Sequence, residues 1–170
     1  IYYHRRSDVL VGDDSRDNWE FKLFWADRAA VLDEAVGTPG IYRGVEVSPA
    51  DHKRIAVHRH DGTGGDIWVM EPPPQAPKNI TLNAAQDNSS PVWSPDGSHI
   101  VFASHRNGTW GLYLKPSDGS GAERTLLEKS AAPLAPMSWS LKGGNRLVYW
   151  VNDPKTKGDL WMLPMDGGGK

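Results

Sequence analysis

Residues 89–113 read Ser89-Ser90-Pro91-Val92-Trp93-Ser94-Pro95-Asp96-Gly97-Ser98-His99-Ile100-Val101-Phe102-Ala103-Ser104-His105-Arg106-Asn107-Gly108-Thr109-Trp110-Gly111-Leu112-Tyr113. Three strands and two turns are predicted. Residues 91–93 form a short apolar strand. Ser94-Pro95-Asp96-Gly97 is a tight turn, with proline fixing φ at its second position and glycine supplying positive φ. Residues 100–104 are rich in β-formers. Arg106-Asn107-Gly108 turns the chain again, into a third strand at 110–114. A meander this small cannot bury both faces alone, so the fold depends on whether the chain supplies copies to stack against it.

Copies lie on both sides. Ser48, Ser94 and Ser140 are 46 residues apart at each step, a spacing in the range of propellers and solenoids. The second strand recurs as Ile55-Ala56-Val57, Ile100-Val101-Phe102 and Leu147-Val148-Tyr149. The third recurs as Asp66-Ile67-Trp68-Val69-Met70, Gly111-Leu112-Tyr113-Leu114 and Asp159-Leu160-Trp161-Met162-Leu163. Order, spacing and residue type repeat together. With 18 Gly, 13 Pro and 8 Trp in 170 residues, the pattern predicts an all-β fold: a partial β-propeller of about three to four antiparallel, four-stranded blades.

Taken in order, 1–6 reads as a strand, and 7–18 as an acidic, exposed loop whose carboxylates lack the spacing of a calcium loop. Residues 21–25 form a strand. Residues 29–35 have helix propensity, but their place in the repeat calls for an outer strand, and the repeat is given precedence; 122–129 poses the same conflict and is resolved the same way. Residues 37–40 are expected to be a linker turn, and 79–82 a fourth strand. The division that follows is blade remnants at 1–40, full blades at 41–84 and 85–130, and an incomplete blade at 131–170. The first unit is expected to lack its inner strand and the last its outer strand.

Several function classes are excluded. A net charge of −2 with no basic run does not make a nucleic-acid footprint. No segment approaches the roughly 20 apolar residues of a membrane span. Cysteine is absent, so disulfides and thiolate chemistry are too. There is no Gly-x-Ser-x-Gly elbow and no kinase signature. Gly62-Thr63-Gly64-Gly65 has neither the lysine nor the helix of a phosphate cradle. His58 and His60 share a strand face, as metal ligands could. Ala103 and Trp150 replace His58 in the later copies, which marks a packing slot instead. Neither a metal nor a cofactor is expected.

Trp93-Ser94-Pro95-Asp96-Gly97, followed by Ile100 to Ala103, Arg106, Gly108 and then Leu112-Tyr113, resembles the TolB-like propeller repeat, a relative of WD-type repeats. Trp25-Ala26-Asp27-Arg28, Asp87 to Trp93, Asp153-Pro154-Lys155-Thr156 and Asp159 to Pro164 are similar to the propeller attached to many bacterial serine/threonine kinases. The resemblance runs from about Phe21 onward. It departs from the motif at Pro49-Ala50-Asp51-His52 and Leu141-Lys142-Gly143-Gly144. It implies six to eight blades around a channel, and binding in place of catalysis. It also implies an extracytoplasmic location and a role as the sensor or interaction part of a signalling protein. Two alternatives come with it: a Tol-Pal-type envelope scaffold that engages a lipoprotein, and the substrate-gating propeller of a prolyl-oligopeptidase-like peptidase.

Propeller geometry places a ligand site at the channel mouth, where the innermost strands begin. The candidates there are Arg43, Glu46, Asp87, Asn88, Ser89 and Ser90, with Trp93 and Trp139 as aromatic neighbours. The partner, protein or small molecule, is not legible. Three to four blades leave bare edges and uncovered faces, so self-association is expected, for instance as a two-fold dimer.

Overall fold

The computed structural model describes residues 7–12, 20–26, 32–60, 64–71, 75–82, 86–142 and 144–166. Every regular element among them is a strand, and none is a helix long and apolar enough to cross a membrane. The strands are β1 (Ser7–Gly12), β2 (Phe21–Ala26), β3 (Leu32–Val47), β4 (Ile55–His60), β5 (Gly65–Met70), β6 (Lys78–Asn79), β7 (Asn88–Trp93), β8 (His99–Arg106), β9 (Thr109–Pro116), β10 (Arg124–Ser130), β11 (Leu134–Ser140), β12 (Arg146–Asp153) and β13 (Lys157–Pro164).

All pairings are antiparallel between sequential strands. β7 to β10 form one sheet and β11 to β13 another, while β1 to β6 are joined through β3. The first half of β3 pairs with β2, from Leu32↔Ala26 to Gly40↔Phe21. Its second half pairs with β4, from Ile41↔His60 to Val47↔Ile55. Four meanders result. The first strands of the last three, β3 (second half), β7 and β11, lie side by side, as the inner strands of adjacent blades should.

Alternation of side chains makes each blade two-faced. On β8, Ile100 and Phe102 turn toward blade 2 and meet Ala56, Ile67, Val69 and Ile80. Val101 and Ala103 turn the other way, with Leu112 and Leu114, toward Leu134 and Leu147 of blade 4. Ile55, Val57 and Met70 pack on Leu23 and Val36 of blade 1. The core is therefore a series of seams between sheets. Phe102, Ile67, Ile100 and Leu112 are fully buried in them, each contributing about 1.5–3 kcal/mol of burial.

Three expectations need correction. Ser7–Gly12, read as loop, is strand β1 paired with β2; Val9, Leu10 and Val11 supply the β propensity that the flanking acidic residues obscured. Residues 37–40, read as a linker turn, lie inside β3. Gly37, at φ +73°, sits between the two pairings that shift register there, so a bulge replaces a turn and the strand passes from one blade to the next. The outer strand expected at 79–82 is only Lys78–Asn79; Leu82 takes φ +53°, and Asn79 Oδ1 accepts the amides of Thr81 and Leu82 at 3.1 and 3.0 Å, turning the chain early. The helix-versus-strand conflicts resolve as strand at Leu32 onward and at Arg124–Ser130. The expectations for 1–6, for 13–18 of the acidic loop, for 29–31 and for 61–63 lie outside the described residues.

Candidate functional site

At the rim where the inner strands begin, His58 on β4 is only 5% exposed. Gly65 on β5 makes room for it: a Cβ there would stand 1.9 Å from the His58 Nε2. Asp87, at φ +38° just before β7, brings Oδ1 to 3.7 Å from Nε2, too far for a direct hydrogen bond. Both atoms are buried and unpartnered. Arg43 is paired with His58 across β3 and β4, and the His60 ring centroid lies 5.8 Å from that of His58. Burial pushes His58 down to about 4, against the pull of Asp87; His60 and Arg43 push the same way as burial, and Asp66 opposes. At neutral pH a neutral imidazole therefore faces a carboxylate. An atom that both donates and accepts, a water or a ligand hydroxyl, can satisfy both across that gap. Among the described residues no group of three or more His, Asp or Glu could hold a metal ion.

Behind this pair runs a polar network between blades 2 and 3. Asp66, 6% exposed, accepts from Asn79 Nδ2 at 2.8 Å, Thr81 Oγ1 at 2.5 Å and Asn88 Nδ2 at 3.1 Å. Asn88 Oδ1 accepts from Ser104 Oγ at 2.8 Å. Arg106 donates from Nε to Ser104 Oγ at 2.8 Å. It forks onto Glu123 with distances of 2.5 and 3.0 Å, and its guanidinium lies 3.7 Å from the centroid of Tyr113. Bidentate geometry and ring stacking both require arginine's planar head.

The opposite rim is fastened by the turns. Ser94 Oγ and the Ser98 amide and hydroxyl donate to Asp96 Oδ1 at 2.6, 3.0 and 2.7 Å, holding its carboxyl down at about 2. Arg54 of blade 2 reaches Gly97 O at 3.0 Å and Ser117 Oγ at 3.1 Å on blade 3. It also pairs with Asp51 at 2.6 Å and lies over Trp93. Gly97, at φ +69°, is required twice, because a Cβ would stand 2.8 Å from Ala50 Cβ. Ser98 Oγ is 2.7 Å from His99 Nδ1. Asp96 binds the serine and not the imidazole, so the trio locks a turn and lacks the order of a nucleophilic triad.

The sequence candidates thus divide. Arg43 and Asp87 meet His58 at one rim. Asn88 is fully buried in the network, with half-buried Ser89 and Ser90 following it on β7. Glu46 and Trp93 lie toward the other ends of their strands, where Trp93 Nε1 donates to Glu46 O at 3.0 Å; burial raises the Glu46 carboxyl. Trp139, in blade 4, donates to Asn145 Oδ1 at 2.7 Å. Reading the sequence missed Asp66 and Arg54 as the seam's polar fasteners, and Arg106 as the brace behind Ser104 and Asn88 within blade 3. A signal existed for Asp66, since an aspartate heads the third strand again at Asp159.

No protein-family model matches the chain. Over 112 residues, 65% of its length, it is 31% identical to the Tol-Pal system protein TolB of Desulfosudis oleivorans, of which it covers 22%. The chain thus spans about a fifth of that relative. It resembles the crystal structure of TolB from Acinetobacter baumannii with a TM-score of 0.70 and 14% identity, covering 95% of this chain and 39% of that one. The structure assigned as TolB from Agrobacterium tumefaciens gives 0.68 and 22%, covering 94% and 58%. The β-propeller domain of the Trilobed protease from Pyrococcus furiosus, described as having an open velcro topology, gives 0.52 and 12%, covering 94% and 64%. With the side-by-side meanders described above, these likenesses establish the fold as part of a TolB-like β-propeller.

Proposed function

We propose that the chain is a non-catalytic interaction segment of a TolB-like propeller, with recognition centred on the rim bearing Arg43, His58 and Asp87. One observation carries the reading. Among the described residues three buried side-chain atoms lack a hydrogen-bond partner, Ser48 Oγ, His58 Nε2 and Asp87 Oδ1, and the last two face one another across 3.7 Å at one rim. Buried polar atoms in that state are rare, and a hydroxyl from a partner, like a water, could bridge the two. Identity to TolB favours the envelope-scaffold form, in which the partner is a lipoprotein of the Tol-Pal type. A narrower form, resting on the resemblance to kinase-linked propellers, makes the segment the extracytoplasmic sensor of a bacterial signalling protein. Likeness to a protease propeller is one of fold.

The test is calorimetric titration of the chain with the soluble domain of a Tol-Pal-type envelope lipoprotein, for the parent and for Asp87→Asn and His58→Gln. The expected result is saturable binding, weakened tenfold or more by either variant, with no peptidase or esterase turnover. Binding indifferent to both variants would remove the rim from the proposal. Measurable hydrolysis would remove the non-catalytic reading altogether.

A further inference from the structure

Two observations meet at Leu82, in the connection from β6 to β7. Its side chain is 75% exposed, the most of any large apolar residue described. Its φ is +53°, and among the described residues every other non-glycine position with positive φ holds His, Asp, Ser, Asn or Lys. A bulky aliphatic side chain is strained in the left-handed region, where glycine or asparagine sits at less cost. No further blade is available to cover it, since blades 2 and 3 are each packed on both faces. The turn nonetheless holds this conformation. Asn79 Oδ1 accepts the Leu82 amide at 3.0 Å. Asn79 Nδ2 and Thr81 Oγ1 donate to Asp66, which also accepts from Asn88 at the head of β7. Leu82 is thereby fixed on the rim that carries His58 and Asp87. Neither burial nor backbone preference accounts for leucine here, and strain of this kind gathers at sites of function.

We propose that Leu82 is the apolar anchor of the recognition rim, seated in an apolar pocket of a protein partner that sets a lysine or arginine against Asp87. The inference rests on the rim reading above and adds to it the chemistry of the partner. Small ligands are held in concave sites. A projecting side chain is the convex half of a contact, so the concavity belongs to the partner, and anchors seated in pockets carry most of the energy of protein interfaces. Charge complementarity supplies the second element. The Asp87 side chain is 43% exposed, and its one ion-pair neighbour among the described residues is His58, which burial keeps neutral at neutral pH. A carboxylate that no lysine or arginine of the described residues neutralises is met by a cation across the interface. Lipid surfaces are bound through lysine and arginine around the apolar insert, and the carboxylate of Asp87 opposes that.

The probe is the soluble domain of a Tol-Pal-type envelope lipoprotein, titrated calorimetrically into the 170-residue chain. Leu82→Asn is expected to unfold at a higher urea concentration than the parent, because asparagine accepts positive φ, and yet to bind at least about tenfold more weakly. Leu82→Met, which keeps the apolar anchor, should bind like the parent. Binding by the parent should weaken as salt is raised, and that dependence should shrink in Asp87→Asn. If Leu82→Asn binds like the parent while Asp87→Asn or His58→Gln binds weakly, the anchor is overturned and the rim reading stands. If the parent does not bind, or binds regardless of all three variants, both are overturned. A lower urea midpoint for Leu82→Asn would show that leucine serves the fold. A salt dependence untouched by Asp87→Asn would remove the partner's cation. Leu82-dependent binding to phosphatidylcholine vesicles in place of the lipoprotein domain would put a lipid surface where the pocket is proposed. Each of these three results overturns the proposal.

Discussion

Gly65→Ala is the sharpest test of how the rim is built. The added methyl would sit 1.9 Å from His58 Nε2 and 2.4 Å from Cδ2, far inside van der Waals contact. Gly65 is not among the glycines with positive φ, so the cost is steric and not conformational. The imidazole has little room to retreat: it is 5% exposed, with Asp87 on one side and His60 on another. Overpacking a filled slot costs about 1–3 kcal/mol. For a chain of this size each kcal/mol moves Tm by about 2–4 °C, giving a fall of roughly 2–12 °C.

The assay is urea unfolding followed by tryptophan fluorescence, run as a cycle with His58→Ala. Removing the ring vacates the slot, and Gly65→Ala then places its methyl in open space. In that background the alanine should be neutral, or stabilising by about 0.5–1 kcal/mol, since glycine weakens a strand interior. The two changes should therefore couple by at least about 1 kcal/mol. Additivity within about 0.5 kcal/mol, or a Gly65→Ala protein as stable as its parent, would refute the claim that the glycine exists to seat the histidine.

Other outcomes follow from the same geometry. His58 is held near 4, chiefly by burial, below its unfolded value of about 6.5. Its contribution should be full above pH 6.5 and lost as pH falls toward 4, because the unfolded chain takes up the proton first; unfolding free energy measured across that window should lose much of its slope in His58→Gln. Asp66→Ala strips the acceptor from Asn79, Thr81 and Asn88 and should cost about 2–4 kcal/mol, read as a lower urea midpoint at unchanged m-value. Arg54→Lys keeps the charge but not the planar fork that reaches Asp51, Gly97 and Ser117. It should cost about 1–2 kcal/mol, and stability equal to the parent in a thermal melt would show that those bonds carry little.

Much of the fold was legible because propeller seams write themselves into sequence as period 2 within a period of 46. Ile100 and Phe102 against Val101 and Ala103 disclose two buried faces in the sequence alone. Breaks in that pattern were harder to read. Gly37-Thr38-Pro39-Gly40 has the composition of a turn, but composition does not distinguish a turn from a bulge that lets one strand serve two blades. The site was legible only in part. Arg43 and Asp87 were placed at the mouth from strand starts alone. His58 was read as a packing slot, and the slot is real, with Gly65 as its other wall. What the sequence could not show was the 3.7 Å gap to Asp87, which depends on a positive φ at Asp87 that no local motif demands.

The three seams are not equivalent, and the difference bears on the recognition proposed for the rim of His58 and Asp87. Between blades 1 and 2 and between blades 3 and 4, aliphatic and aromatic side chains do the packing. Such contacts are tolerant of small sliding movements. The seam between blades 2 and 3 has its own apolar core, but it is pinned at both rims as well, by Arg54 on one and by Asp66 with Asn88 on the other. Directional bonds at two ends of a seam fix both spacing and tilt, and a recognition pair needs its donor and acceptor held to within about 0.5 Å. His58 belongs to blade 2 and Asp87 leads into blade 3, so their separation is set by this seam and by no other. Loosening Asp66 or Arg54 should therefore widen the pair and, if the rim is the proposed recognition site, weaken binding without either residue touching the partner. Their effect on binding would exceed that of equally destabilising cavities cut into the seam between blades 3 and 4, such as Leu112→Ala.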